Sequence, residues 1–166
     1  TSPNDYATAR ERFDELRDAG ETDERFLLDR CPWCGTEIVP RAHHADNSLY
    51  GITATDRSFA FNCPSSKCEF HERIQVQVVD RGLYESPPTC LLGTVDKFAQ
   101  LAWVQESGVL FGHTLGRRPP SLIIQDELHL ITGALGTTVG LFEVAIDVLT
   151  SWTRDDGAVV RPLVVA

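Results

Sequence analysis

Four of the five cysteines occur as two closely spaced pairs, a pattern typical of metal binding. Two residues separate Cys31 from Cys34, and four residues separate Cys63 from Cys68. Cysteine pairs on tight turns supply two thiolates each, and four thiolates at about 2.3 Å satisfy a tetrahedral Zn2+ ion. The sequence therefore predicts a zinc site whose ligands are Cys31, Cys34, Cys63 and Cys68.

Three other interpretations of this pattern stay open. The four-residue spacing is less common than two, and His71 is an alternative fourth ligand in place of Cys68. The cysteines could also be plain buried thiols or form two disulfides, which need an oxidising compartment. Because the residues from Thr1 onward do not resemble a signal peptide, we expect a cytoplasmic protein and favour zinc, in a small β-rich module that resembles a zinc ribbon.

Other residues whose side chains could bind or react have simpler interpretations. Cys90 lies in an apolar run and is predicted to be a buried hydrophobic residue. The adjacent His43 and His44 are predicted to be an exposed pair in a loop. Trp33, between the first two cysteines, could stack on a nucleobase or cover the zinc site.

Two adjacent carboxylates, Asp126 and Glu127, follow the apolar run from Leu122 to Gln125. That run is typical of a strand buried on both faces of a parallel sheet. Ligands of open α/β sheets bind at the carboxyl ends of such strands. Because a buried strand end tolerates negative charge only beside a cation, the pair predicts a site for Mg2+ bound to a nucleotide.

The elements around these carboxylates alternate between strands and helices. We predict strands at Thr89–Thr94 and Arg161–Ala166, on either side of Leu122–Gln125, and helices at Val95–Gln105 and Val139–Trp152. This alternation predicts an α/β fold with a parallel sheet.

The first half of the chain has a different pattern of apolar residues. Apolar residues at helical spacing predict a helix from Tyr6 to Leu28, broken at Gly20. Two alternating runs, Leu49–Ala54 and Ser58–Asn62, predict a β-hairpin, and Arg73–Val79 alternates like a half-exposed strand. The predicted segments are a helical lead-in (1–30), the cysteine module (31–72) and the α/β part (73–166).

Composition narrows the class of protein. With 166 residues, of which 42% are hydrophobic and 23% charged, the chain is not a disordered tail, a collagen-like fibre or a coiled coil. A formal net charge of −9 argues against non-specific attraction to phosphate backbones or anionic lipid. No apolar run approaches the roughly 20 residues of a membrane-spanning helix, so no membrane partner is expected.

The sequence Asp126-Glu-Leu-His129 resembles the D-E-x-H box of superfamily 2 helicases. Upstream, Gly93-Thr94-Val-Asp-Lys97-Phe98 is similar to the segment of these motors that contacts the nucleic-acid backbone. The resemblance implies part of a RecA-like sheet of the P-loop NTPase class, with the cysteine module inserted, and implies Mg2+ and ATP as cofactors of the complete protein.

A narrower resemblance covers about residues 73–147. The stretches Pro87-Pro-Thr-Cys-Leu-Leu-Gly-Thr-Val-Asp-Lys-Phe98 and Pro120-Ser-Leu-Ile-Ile-Gln-Asp-Glu-Leu-His-Leu-Ile-Thr-Gly133 resemble the helicase subunit of DISARM-type bacterial antiphage systems. This resemblance implies a role in defence, a nucleic-acid partner with DNA favoured over RNA, and other subunits of the system as candidate partners.

The resemblance also implies a role for individual residues. Asp126 would help to hold Mg2+, Glu127 would activate the hydrolytic water, and His129 would couple the nucleotide state to a second lobe. Thr94 and Lys97 would contact the phosphodiester backbone. The simpler alternative is a solvated or helix-capping acidic pair, with Thr94 as a cap and Lys97 as a surface lysine.

The sequence departs from the family in one important respect. The phosphate-binding pattern G-x-x-x-x-G-K-[ST] is absent from it. Since the chain also has no Met and ends in the apolar run Leu163-Val-Val-Ala166, we expect a segment of a longer protein that is inactive alone.

Two other functions remain possible on these residues. One is a zinc-ribbon module that binds nucleic acid or protein on an inert α/β scaffold. The other is a metal-dependent hydrolase with Asp126, Glu127 and His129 as direct ligands, which would require the chain to turn immediately after Glu127.

Overall fold

The computed structural model describes residues 3–19, 26–94, 97–98, 104–112, 116–126 and 144–165. The chain divides into two units, Thr1–Pro88 and Thr89–Ala166. Each unit is described by itself below. Within the described residues, no helix has the length and apolar character needed to cross a membrane.

Helix α1 (Tyr6–Ala19) carries the apolar face that the sequence predicts. The side chains of this face, at spacings of three or four residues, are all buried: Tyr6, Ala9, Phe13 and Leu16. Asp5 accepts a hydrogen bond from the Thr8 N–H at 2.8 Å, which caps the first turn. The prediction that this helix continues to Leu28 is wrong, since residues 26–28 are not helical. Phe26 instead stacks on Phe59, with ring centroids 5.3 Å apart.

The predicted β-hairpin is confirmed. Strand β1 (Ile52–Thr55) pairs antiparallel with β2 (Ser58–Phe61), and Ile52 lies opposite Phe61. The Thr55 side chain accepts hydrogen bonds from the Arg57 and Ser58 N–H groups and so stabilises the two-residue turn.

The strand predicted at Arg73–Val79 does not form. Ile74 makes a single bridge to Phe61, and the chain then leaves the hairpin. The Gln77 Oε1 atom accepts hydrogen bonds from the N–H groups of Val78 and Val79, both at 2.9 Å. Because this side chain takes two donors that a strand would offer to a neighbour, the segment leads into helix α2 (Asp80–Glu85) instead.

Helix α1, the hairpin and three of the paired cysteines share one core. Its fully buried members include Ile38, Phe61 and Val79. Phe13 and Tyr50 meet edge to face across the contact between α1 and the hairpin, at 5.8 Å. The Tyr6 hydroxyl donates a 2.8 Å hydrogen bond to Glu85, so α2 is tied to the same helix. The lead-in helix is therefore a structural part of the cysteine unit.

The second unit contains the predicted parallel pairing. Strand β3 (Leu122–Ile124) runs parallel to β6 (Leu163–Val165), with Ile123 opposite Val164. With the helices and short strands described here, this pairing makes the chain a small α/β protein.

A short hairpin in the second unit was not predicted. Strands β4 (Trp152–Thr153) and β5 (Val159–Val160) pair antiparallel. The prediction that Trp152 ends a helix is wrong, because the described helical segment covers 144–150. Gly157 at φ +82° forms the turn, and Asp156 accepts a hydrogen bond from the Ala158 N–H. The Asp156-Gly157 sequence is a hairpin signal that could have been recognised.

Two further expectations for the second unit, the burial of one strand and the existence of another, are also wrong. Strand β3 was expected to be buried on both faces, yet Ile124 is 68% exposed. Thr89–Thr94 was expected to be a strand, but the segment pairs with none of the described strands and Leu92 is 89% exposed. An apolar run forms a buried strand only where neighbours supply ladder hydrogen bonds and cover its faces.

Candidate metal centre and nucleotide-site residues

The four paired cysteines converge at one point of the first unit. Their Sγ atoms all lie within 4.8 Å of one another. Each close contact joins one pair to the other: Cys31 to Cys68 at 3.8 Å, and Cys34 to Cys63 at 3.5 Å. Four sulfurs around a tetrahedral Zn2+ with bonds of about 2.3 Å lie about 3.8 Å apart. The cluster therefore has the dimensions of a site that could hold a metal such as zinc.

A tight turn positions the first pair. The Gly35 N–H donates to the Cys31 carbonyl at 2.9 Å, and the Cys31 N–H donates to the Thr36 carbonyl at 2.8 Å. Gly35 has φ +74°, a conformation that glycine adopts without strain. These two hydrogen bonds close the turn, and the sulfurs of Cys31 and Cys34 lie within 4.8 Å of each other.

The second pair is held by the chain that follows β2. The Cys63 N–H donates to the Phe70 carbonyl at 2.9 Å, and the Cys68 N–H donates to the Ser65 carbonyl at 3.0 Å. Since Phe61 at the end of β2 is fully buried, the hairpin anchors this turn to the core.

Backbone N–H groups influence three of the four sulfurs. Those of Thr36, Ser65 and Phe70 lower the pKa of the cysteines two residues before them, namely Cys34, Cys63 and Cys68. The Thr36 hydroxyl also lies 3.2 Å from the Cys34 sulfur. Donors aimed at sulfur favour the thiolate, which is the form that binds metal. Sequence reasoning missed Thr36, although its position two residues after a ligand cysteine was a usable signal.

The thiol pKa values differ within the cluster. Hydrogen bonding with the Thr36 side chain and backbone lowers the pKa of Cys34 to about 6. Burial raises the pKa of Cys63 and raises the pKa of Cys68 to about 12. Burial alone would therefore keep two thiols neutral, whereas a bound cation deprotonates a coordinating thiol. The soft, four-sulfur donor set fits Zn2+.

His71 does not join the cluster. Its Nδ1 atom lies 2.8 Å from the Cys63 carbonyl oxygen. The structure thus favours Cys68 as the fourth ligand, with His71 supporting the turn that carries Cys63.

The predictions for the other cysteine, the histidine pair and the tryptophan are confirmed only in part. Cys90 is exposed, so the prediction of a buried residue is wrong, because its segment has no covering partner among the described residues. His43 and His44 are exposed, as predicted, and His43 Nδ1 hydrogen-bonds with the Arg17 carbonyl. Trp33 is 65% exposed and meets Phe70 edge to face at 5.7 Å.

Asp126 lies at the carboxyl end of the parallel strand pair. The N–H of the preceding residue, Gln125, donates to the Val165 carbonyl at 2.8 Å and so extends the pairing with β6. The Asp126 side chain is exposed. Glu127 and His129 lie outside the described residues, so the roles of all three stay predictions.

Thr94 begins a helical turn. Its carbonyl accepts hydrogen bonds from the N–H groups of Lys97 at 3.0 Å and Phe98 at 3.2 Å. Thr94 is exposed and Lys97 is half-buried. The local geometry agrees with the amino end of a helix, whereas contact with nucleic acid stays a prediction.

These features define the first unit as an antiparallel hairpin with a four-cysteine cluster, and the second as an α/β unit with a parallel strand pair. The chain is similar to the DISARM protein DrmA of Bacillus paralicheniformis, with 33% identity over 152 residues. The similarity covers 73% of this chain and 13% of the relative, so the chain spans about an eighth of that protein. This homology supports the resemblance to DISARM-type defence proteins. No protein-family model and no solved structure matches the chain.

Proposed function

We propose that the chain is part of an ATP-dependent superfamily 2 helicase or translocase that acts on DNA in bacterial antiphage defence. The observation that carries the proposal is that Asp126 lies two residues after a strand with a parallel partner, next to Gln125, which extends the pairing. Homology to a DISARM protein supports the role in defence, with other subunits of the system as candidate partners.

The acidic pair would perform the nucleotide chemistry in the complete protein. Asp126 and Glu127 are adjacent, so one carboxylate can hold Mg2+ while the other accepts a proton from the attacking water. His129 would transmit the nucleotide state to the rest of the motor. The phosphate-binding loop is not in this sequence, so we propose that turnover needs the longer protein.

Contact with nucleic acid would use a few local donors. Thr94 offers an exposed hydroxyl at the start of a helical turn, and Lys97 lies one turn further on. Phosphates bind well to such groups without a positive net charge nearby. A chain with net charge −9 is therefore compatible with a DNA-binding role.

The cysteine cluster would hold a structural Zn2+ ion. All four protein positions of a tetrahedral site are filled by cysteine, which is the arrangement of structural rather than catalytic zinc. Metal analysis of the purified chain tests this proposal, with one zinc per chain as the expected result. A metal-free protein with an unchanged circular dichroism spectrum would contradict it.

The ATPase proposal is tested in the full-length parent protein. Glu127→Gln keeps the size of the side chain but removes the base, so we expect phosphate release to fall by about 10²-fold or more. Glu106→Gln is the matched control, since Glu106 is an exposed acid in the 3₁₀ helix Gln105–Phe111. Turnover at the parental rate in Glu127→Gln would overturn the proposal.

A second candidate function is an interaction module without catalysis. The exposed Trp33, in contact with Phe70 beside the cysteine cluster, favours it. Plating efficiency of phage separates the two functions. If Glu127→Gln retains protection while Trp33→Ala loses it, the interaction module is supported and the motor is not.

A further inference from the structure

The four cysteines of the cluster differ in their access to solvent. Cys34 is exposed, whereas Cys31, Cys63 and Cys68 are buried. Cys34 also makes the shorter of the two close sulfur contacts, at 3.5 Å to Cys63. The exposed cysteine therefore has a buried partner sulfur within reach.

We propose that Cys34 is an oxidation site, at which a hydroperoxide forms a Cys34–Cys63 disulfide and releases the bound metal. This inference rests on the proposed zinc site. Solvent exposure decides which cysteine reacts with a small oxidant first. Proximity decides which second sulfur then attacks the resulting sulfenic acid to form the disulfide.

The chemistry balances with hydrogen peroxide as the only oxidant. The Cys34 sulfur attacks one peroxide oxygen, the O–O bond breaks, and the leaving hydroxide takes a proton to become water. The Cys63 sulfur then attacks the sulfenic sulfur, the S–O bond breaks, and a second water leaves after protonation. Two sulfurs have then lost two electrons, and one peroxide has become two waters.

The first turn has room to move as the bond forms. A disulfide needs an S–S distance of about 2.05 Å, so the two sulfurs must approach by about 1.5 Å. Apart from its two chain neighbours, nothing lies within 4 Å of the position that a Cβ would occupy on Gly35, so the turn next to Cys34 is open on this side. Cys63, in contrast, is buried, and its N–H is bonded to the Phe70 carbonyl. We therefore expect Cys34 to move toward Cys63.

Disulfide formation would remove half of the metal ligands. Cys31 and Cys68 would remain, 3.8 Å apart and buried. Two thiolates do not complete a tetrahedral zinc site, so the ion should leave.

The experiment adds hydrogen peroxide to the zinc-loaded chain and follows zinc release with a metallochromic dye. Disulfides are mapped by mass spectrometry after alkylation, and dimedone traps the first sulfenic acid. We expect release of one zinc per chain, the dimedone adduct on Cys34 and a Cys34–Cys63 disulfide. Cys90→Ser is the matched control, because it removes the exposed cysteine outside the cluster and should release zinc at the same rate.

The inference is overturned if zinc stays bound while Cys90 is oxidised, or if the first disulfide joins Cys31 to Cys34 or Cys63 to Cys68. Trapping in the unmodified chain needs no variant, so the result does not depend on whether Cys34→Ser folds. Zinc content before oxidation separates the two proposals. If no zinc is bound, the structural zinc site fails, and mapping of the reduced metal-free chain still decides whether Cys34 pairs with Cys63.

Discussion

The two units bury their apolar residues to very different degrees. In the first unit Phe61 and Ile38 are fully buried, in a core that also contains three of the clustered cysteines. In the second unit Ile124 and Leu163 lie on paired strands but are 68% and 65% exposed. Apolar strands of similar composition therefore contribute to stability only where other side chains cover them. The cysteine unit should respond strongly to changes in its core and cluster, and the described strands of the second unit weakly.

Replacement of a buried cysteine of the cluster should have the largest effect. Cys31→Ser removes one ligand and leaves three cysteines without a complete site, so zinc should be lost and the first unit should unfold. Structural zinc sites contribute about 10–16 kcal/mol of binding free energy at neutral pH. Metal analysis and thermal melting check this, with Cys90→Ser as the control that keeps both zinc and melting temperature. If the Cys31→Ser chain has the same melting temperature as the parent, the cysteine cluster does not stabilise the first unit.

Truncation of a core aromatic residue should rank second. Phe61→Ala deletes a fully buried ring and should lower the free energy of unfolding by about 3–5 kcal/mol. Ile124→Ala in the second unit should change it by no more than about 0.5 kcal/mol, because that side chain is mostly exposed. Urea denaturation measures both variants. Equal losses would show that the contrast between the units is wrong.

Substitution of a glycine in the first unit should have a smaller effect on the free energy of unfolding. A Cβ on Gly51 would lie 2.2 Å from the Asn62 carbonyl oxygen, so Gly51→Ala must displace the hairpin and should cost about 1–3 kcal/mol. Gly108→Ala is the matched control in the second unit, since its Cβ would meet nothing within 4 Å. If urea denaturation finds both substitutions neutral, the packing between β1 and the residues after β2 is looser than described.

The smallest effect concerns acid stability. Hydrogen bonds from Arg81 and the Tyr6 hydroxyl hold the pKa of Glu85 below its usual value. A carboxyl group with a lowered folded-state pKa stabilises the fold above its unfolded pKa of about 4.3, and this contribution disappears as the pH falls through the folded value. Glu85→Gln should therefore flatten the loss of stability in acid and leave the slope near neutral pH unchanged. An identical acid transition, measured by tryptophan fluorescence, would contradict this role.

Local patterns predicted the parts of the fold that depend on neighbours in the chain. The period of Tyr6, Ala9 and Phe13 predicted the buried face of α1, and the alternation around Phe59 predicted the hairpin. The same reasoning failed where a side chain, or a second backbone segment, took the backbone hydrogen bonds of a predicted element. Gln77 takes the donors of a predicted strand, and Trp152 pairs with Val160 where a helix was expected.

The nature and spacing of the cysteines determined that a four-sulfur site could form, because two short turns each bring two thiolates to one point. The sequence also determined that an acidic pair follows an apolar strand, since both features are local. Only the tertiary structure decided that His71 supports the Cys63 turn, that Cys34 alone of the four is exposed, and that β3 pairs with β6. The pairing of β3 with β6 joins residues far apart in the chain, the His71 contact depends on how its turn folds back, and burial is a property of the surroundings rather than of the residue.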